Sequence, residues 1–458
     1  MGYVAFMSTG IPRRSWVAMM GIALVLGLGL GLGSCCREGF ASETGFQAGA
    51  DLSHVGFFED RGTVYRNGGI AEDPFQILAG HGMTWARLRL FTSSQAQATN
   101  APYNSINTLD YTLRLARRAK AAGLRLLLDF HYSDSWADPG KQTKPAAWAG
   151  LAFDALEQKV YEYDRDTIAA FKAAGLTPDA VQVGNEIISG MLWPDGKVGG
   201  SYDTPAQWAK LGRLLKAAVR GIEESAGDQR PRIMIHIDRG GSWSGTQWFF
   251  DHLLAQQVPF DLIGQSYYPW WHGSLNDLRN CVTNTASRYG KPVVVVETAF
   301  PWVTTNWDGT VAAPQAGIAP GPFGQVRFVE ELHSILANAP NGFGLGIFWW
   351  GTEYQSLTGY GLGGFDQRSF FDADGELLPV AAALATSAKP VLSKPQTLSG
   401  NVLRFKVDGP ASQILELQST GDFGAWTTVA GGTNHTGTIT FDLQRREEVA
   451  TFYRLLER

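Results

Sequence analysis

Two carboxylates in this 458-residue chain stand at the ends of short apolar runs. Glu186 closes Val181-Gln182-Val183-Gly184-Asn185-Glu186, and Glu297 closes Val293-Val294-Val295-Val296-Glu297. A single glutamate at a strand end is most simply a solvated surface charge. Two segments of one design, however, can deliver two carboxylates to the same end of a sheet. Such a pair suits glycosidic bond cleavage: one carboxylic acid, its pKa raised, protonates the leaving oxygen while the other attacks the anomeric carbon from about 5–5.5 Å away in retaining enzymes. Asn185, directly before Glu186, could hold a sugar 2-hydroxyl through a hydrogen bond that strengthens in the transition state.

Other polar and aromatic residues follow the same rule of place. Asp51 and His54 come after one apolar run, His131 and Trp136 after another, His236 and Asp238 after a third. Arg87 and Arg89 alternate with Ala86, Leu88 and Leu90, so both point to one face of a strand. A buried arginine must be paired, so each either keeps the attacking carboxylate ionised or makes a structural salt bridge. Tyr267 and Tyr268 point in opposite directions along a regular strand, so one of them reaches Glu297. Trp349 closes the list of substrate-binding candidates. His54, His131 and His236 lie on different strands without the short spacing of a zinc site, which favours hydrogen bonding over metal binding. No metal or cofactor is expected; a structural calcium in the carboxylate-rich loops has no clear motif to support it.

The elements that must position these residues can be counted. Phe46–Leu52, Thr84–Phe91, Leu124–His131, Ala180–Glu186, Arg232–Asp238, Leu262–Tyr268, Pro292–Thr298 and Leu345–Trp350 read as strands separated by helical stretches. Leu109–Ala122 carries an apolar stripe and stops at Gly123, while Thr204–Ser225 opens with a capping threonine followed by proline. Eight alternating units predict an α/β fold, a (β/α)8 TIM barrel, with all the polar clusters around its carboxyl-terminal mouth. A doubly wound open sheet is the alternative, but no Gly-rich dinucleotide loop follows the first strand.

Composition sets the remaining bounds. A net charge of −5 gives no basic excess to attract nucleic acid. Fifteen Trp, several in polar Gly-rich loops, suit stacking on sugar rings as well as core packing. Residues 1–35 read as a signal segment: Arg13-Arg14, an apolar stretch from Val17 to Leu32, then Leu32-Gly33-Ser34-Cys35, which resembles a lipobox. The expected product is secreted or lipid-anchored at Cys35 to a bacterial envelope, extracytoplasmic and monomeric; a plain secretory signal is the other reading. Cys36 and Cys281 allow either one bridge or a free, buried Cys281. Residues 36–388 are assigned to the barrel. From 389 to 458 the short alternating runs predict a small antiparallel β module, sandwich-like, serving packing or attachment rather than sugar binding.

Across about residues 47–352 the chain resembles glycoside hydrolase family 53, the arabinogalactan endo-β-1,4-galactanases. The resemblance is carried by Gly49-Ala50-Asp51-Leu52-Ser53, Arg87-Leu88-Arg89, Asp129-Phe130-His131-Tyr132-Ser133-Asp134-Ser135-Trp136, Gln182-Val183-Gly184-Asn185-Glu186, Ser266-Tyr267-Tyr268-Pro269 and Val295-Val296-Glu297-Thr298. It implies Glu186 as acid/base, Glu297 as nucleophile, and unbranched β-1,4-galactan as the polysaccharide partner. Other β-glycanases of the same clan, such as mannanases or cellulases, and a surface glycan-binding lipoprotein are the alternatives. Trp302–Phe323 and Trp349-Trp350-Gly351-Thr352-Glu353 depart from the family pattern, at positions that bear on distal subsites and calcium rather than on the reaction.

Overall fold

The computed structural model describes residues 45–303, 316–386 and, further on, 391–392, 395–398, 402–408, 414–420, 425–433, 438–444 and 452–457. The signal segment with Cys35, Cys36, and most of the departing loop after Trp302 lie outside the described residues, as does the start of the barrel assignment at residue 36.

Phe46–Ala388 form one compact unit. Its eight parallel strands are β1 (Gln47–Asp51), β2 (Trp85–Leu90), β3 (Arg125–Phe130), β4 (Ala180–Val183), β5 (Arg232–Ile237), β6 (Leu262–Ser266), β7 (Val293–Thr298) and β8 (Gly344–Trp349). They close into a barrel in sequence order, β8 returning to pair with β1. The (β/α)8 expectation is met strand for strand. The helix after β2 spans Leu109–Ala121, its Thr108 side chain accepting from Tyr111 N–H; the one before β5 spans Pro205–Ala226, its Thr204 side chain accepting from Gln207 N–H. Both follow the capping expected for threonine, which satisfies a donor that the first helical turn leaves free.

Alternation along the strands builds two layers inside the barrel. Trp85, Leu127, Ala180, Met234, Leu262, Val294 and Phe348 pack together as an apolar floor. β1 contributes only Gly49 there, because a Cβ would lie 2.2 Å from Phe348 Cδ1. Two residues further along, the same inward face turns polar on four strands: Arg87 follows Trp85, Asp129 follows Leu127, Gln182 follows Ala180 and His236 follows Met234, all buried, while on β7 Val296 keeps it apolar. The outward faces pack against the helices in a separate, larger core. Floor and outer core supply the burial, worth roughly 1.5–3 kcal/mol per large apolar side chain, that offsets the cost of holding charges in the upper layer.

The strands of Lys389–Arg458 belong to a second unit. Val391–Leu392, Gln396–Leu398, Val402–Asp408 and Thr438–Gln444 make one antiparallel sheet; Thr427–Thr433, Ile414–Thr420 and Phe452–Glu457 make another. Phe405, Val407, Leu415, Leu417 and Phe441 form a core drawn from both sheets.

Candidate active site

β4 ends at Val183, three residues before Glu186. Gly184 takes φ +87°, and a Cβ on it would sit 2.6 Å from Ile187 Cγ2, so only glycine fits this bend. Glu186 itself is left-handed (φ 49°, ψ 49°), which is uncommon for a residue with a side chain and marks functional sites. Its backbone N–H donates to His236 Nδ1 at 3.3 Å, and its Oε1 accepts from the Ser266 hydroxyl at 2.6 Å. The chain therefore leaves the sheet before the acid, and the acid is fixed by groups on β5 and β6.

Glu297 lies within β7, where the pairing with β6 and β8 shifts register around it. Its Oε1 is 2.7 Å from Arg87 Nη2, and its Oε2 accepts from the Tyr268 hydroxyl at 3.0 Å. Arg87, with no solvent exposure, also meets Asp51 Oδ2 at 2.9 Å, Asp129 Oδ2 at 2.8 Å, Asn185 Oδ1 at 2.9 Å and Gln182 Oε1 at 3.2 Å. One guanidinium thus orders side chains from β1, β3, β4 and β7.

Electrostatics divide the two glutamates. Burial pushes the Glu186 carboxyl well above the usual range, and the charges of Glu297 and Asp238 add to this; only the Ser266 hydrogen bond and Arg87 oppose it. Burial also raises Glu297, but there Arg87 is the next largest influence and acts in the opposite direction. Both carboxyls are thus raised, Glu186 the more strongly, because the cation that opposes burial lies in contact with Glu297. Asp129 is pulled down overall: burial would raise it, yet Arg87 and His131 outweigh burial. Burial holds His131 low and His236 far below the ordinary histidine value, leaving both neutral. Asp238 is raised to about 6 by burial, against the pull of Arg239.

Both glutamates open into a cleft of about 650 Å³. Arg89, His131, Trp136, Asn185, Asp238 and Tyr268 line it with them, and Asp51, Arg87 and His236 lie beneath, within the hydrogen-bonded layer. Asn185 Oδ1 is committed to Arg87 and Gln182, while its amide nitrogen donates to Ala137 O and has one hydrogen left for the cleft. Arg89 stacks its guanidinium 4.4 Å from the Trp136 ring and shares a hydrogen bond with His54. His131 Nδ1 accepts from Ala137 N–H, steadying the loop that carries Trp136.

Of the expected substrate-binding residues, Asp51, Arg87 and His236 lie beneath the cleft rather than lining it, and Tyr267 and Trp349 point away from it altogether. Tyr267 points outward, stacks on Phe328 and donates to Gly273 O, whereas Tyr268 reaches Glu297. Trp349 is likewise fully buried on the outer face, against Phe328 and Phe370, with its indole donating to Arg368 O. Its neighbour Trp350 faces the cleft, 6.1 Å from Trp136. Alternation gives the reason: adjacent residues of a strand face opposite sides. Sequence reasoning assigned no site role to Ser266, Gln182, Arg239, Trp271 or Trp350, although Ser266 and Gln182 stand in the runs that carry the resemblance; Trp271 is 64% exposed at the rim. Gln182 was recoverable, since it shares the inward phase of Ala180.

Among the described residues no group of His, Cys, Asp and Glu side chains is arranged to hold a metal ion. Cys281 is free and buried, near Thr246.

The family model for Glycosyl hydrolase family 53 matches residues 47–384. A Niallia circulans protein, named only as uncharacterized in the bgaB 5′ region, is 38% identical over 75% of this chain and 94% of its own. The arabinogalactan endo-β-1,4-galactanase of Humicola insolens is 36% identical over 66% of this chain and 88% of its own. Among solved structures, the Ignisphaera aggregans GH53 catalytic domain superposes with a TM-score of 0.68 at 33% identity, over 74% of this chain and 96% of that one.

Proposed function

For a chain that belongs to glycosyl hydrolase family 53, we propose endo-acting hydrolysis of β-1,4-galactan with retention of configuration. The observation that carries this reading is the unequal environment of the two glutamates in one cleft. In the first step a Glu297 oxygen bonds to the anomeric carbon as the glycosidic C–O bond breaks, and the Glu186 proton passes to the departing oxygen. Arg87 and Tyr268 hold Glu297 for the attack. In the second step Glu186, now ionised, takes a proton from water, the water oxygen bonds to the anomeric carbon, and Glu297 is released. The free amide hydrogen of Asn185 serves the 2-hydroxyl of the sugar, and Trp136 and Trp350 offer ring faces to its C–H surface.

Galactan is the substrate because relatives such as the Humicola insolens enzyme carry that activity in their name. The chain acts as a monomer outside the cytoplasm, exported by residues 1–35 and secreted or anchored through Cys35. The barrel is the catalytic domain and the small β unit serves packing or attachment.

Parallel incubation with galactan, mannan and cellulose tests the substrate, and NMR of the first product tests the stereochemistry. Release of β-configured galacto-oligosaccharides from galactan alone is the expected result. A product of α configuration would overturn the double displacement, and preferential release from mannan or cellulose would overturn the substrate.

A further inference from the structure

A directed chain of hydrogen bonds runs behind the cleft from Arg87, the ion-pair partner of Glu297, to Glu186, and its direction follows from its first member. Arg87, in contact with Glu297, can only donate, so its Nε–H fixes Gln182 Oε1 as acceptor at 3.2 Å. The Gln182 amide nitrogen is then oriented as donor and reaches His236 Nδ1 at 2.8 Å. Glu186 N–H points at the same nitrogen. With two donors on Nδ1, the neutral ring must carry its hydrogen on Nε2, which lies 2.8 Å from Ser266 Oγ and donates to it. The Ser266 hydroxyl hydrogen is left one partner, Glu186 Oε1 at 2.6 Å. Every member of the chain is buried except Glu186, which faces the cleft.

We infer that Ser266 is a positioning residue for the acid/base: by donating to Oε1 it confines the catalytic proton of Glu186 to Oε2. Arg87 sets this choice through Gln182 and His236. The inference rests on the proposed role of Glu186 and adds to it the oxygen that delivers the proton. An acid whose two oxygens are equivalent presents its proton in the wrong orientation part of the time. An acid with one oxygen already accepting presents it from the other. When Glu186 is ionised for the second step, the same hydroxyl stabilises its charge.

The groups around Glu186 bear on how its titration responds. From β7 comes Glu297, from β2 Arg87, and from the end of β5 Asp238 with its partner Arg239. His131 and Asp138 line the cleft from the loop after β3, and Tyr268 and His272 line it after β6. From β5, His236 meets Ser266 through Nε2 and the Glu186 N–H through Nδ1, so deleting the hydroxyl also takes a partner from the imidazole, and Ser266→Thr is the control that keeps it.

The test compares Ser266→Ala, Ser266→Thr and Glu186→Ala on galactan and on a dinitrophenyl β-1,4-galactobioside, whose leaving group needs no proton. For Ser266→Ala, kcat/KM on galactan should fall about tenfold with kcat carrying the loss, remain near wild type on the aryl substrate, and show an alkaline limb moved to higher pH. Ser266→Thr, which keeps the hydroxyl, should restore most of the activity. Equal losses on both substrates, or a Ser266→Ala pH profile matching wild type, would overturn the positioning role. If Glu186→Ala shows no leaving-group dependence, the acid assignment falls and takes this inference with it. Nitrogen-15 NMR of the wild-type imidazoles gives a check that needs no variant: His236 should be an Nε2–H tautomer across neutral pH, and an Nδ1–H tautomer would reverse the chain and sink the proposal.

Discussion

The ends of β4 and β7 start from one sequence plan, an apolar strand running into a glutamate, and finish as chemical opposites. At β4 the backbone bends at Gly184 and carries Glu186 in a left-handed conformation against a neutral histidine and a hydroxyl. At β7 the strand continues through Glu297, and a shift in register brings the carboxylate onto the Arg87 guanidinium. The identity of the residue therefore does not decide its role. What separates their surroundings is a buried cation in contact: burial penalises the charge of both, and Arg87 opposes it most directly at Glu297 and as a lesser influence at Glu186.

The difference between the two ends is largest at Glu297, the proposed nucleophile. Glu297→Gln should lower kcat on galactan by about 10^4-fold or more while substrate still binds, as measured by calorimetry with galacto-oligosaccharides. Appreciable residual turnover would move the nucleophile elsewhere. Glu186→Ala should cost about 10^2–10^4-fold on galactan, with most of the loss absent for a dinitrophenyl leaving group.

Tyr268→Phe sharpens the contrast, because it removes one of two groups that favour the Glu297 anion. A hydrogen bond to a charged group contributes about 1.5–3 kcal/mol, so kcat should fall about 10–100-fold. The acidic limb of the pH profile also carries a sign. The proposed mechanism needs Glu297 ionised and Glu186 protonated, so activity should rise as pH passes the lower macroscopic pKa of the pair and fall as pH passes the upper one. Since the Tyr268 hydrogen bond lowers the Glu297 pKa, Tyr268→Phe must move the acidic limb upward, and a downward shift would reverse the assignment. The smallest effects separate the paired aromatics: Trp350→Ala should raise KM about five- to tenfold, whereas Tyr267→Phe should leave kcat/KM as it is.

The barrel was readable because each strand is an apolar run with polar residues at one end, a pattern set by floor and mouth within a single closed sheet. Observed and expected strand limits differ mainly at β4, whose sheet pairing ends at Val183 because the Gly184 bend, a backbone property, is not written in hydrophobicity. Phase was the harder quantity. In Tyr267-Tyr268 and Trp349-Trp350 two aromatics of equal suitability sit side by side, and only the count of inward and outward positions from the floor tells which one enters the cleft. The role of Ser266, as distinct from its place in a family motif, was hidden for another reason: a serine at a strand end has no distinctive signature until His236 and Glu186 are seen on either side of it.

Gly49 and Phe348 share one volume in the floor of the barrel, the ring of one occupying the place of the other's missing side chain. The two positions are therefore not free to drift independently. A side chain gained at 49 is ruinous while the phenyl ring stands, and a smaller residue at 348 leaves a hole while 49 is bare. Any lineage that refills this floor from its first strand must change 348 before 49 and pass through a less stable intermediate, so the pair acts as a historical lock directly below the charged layer that carries the chemistry.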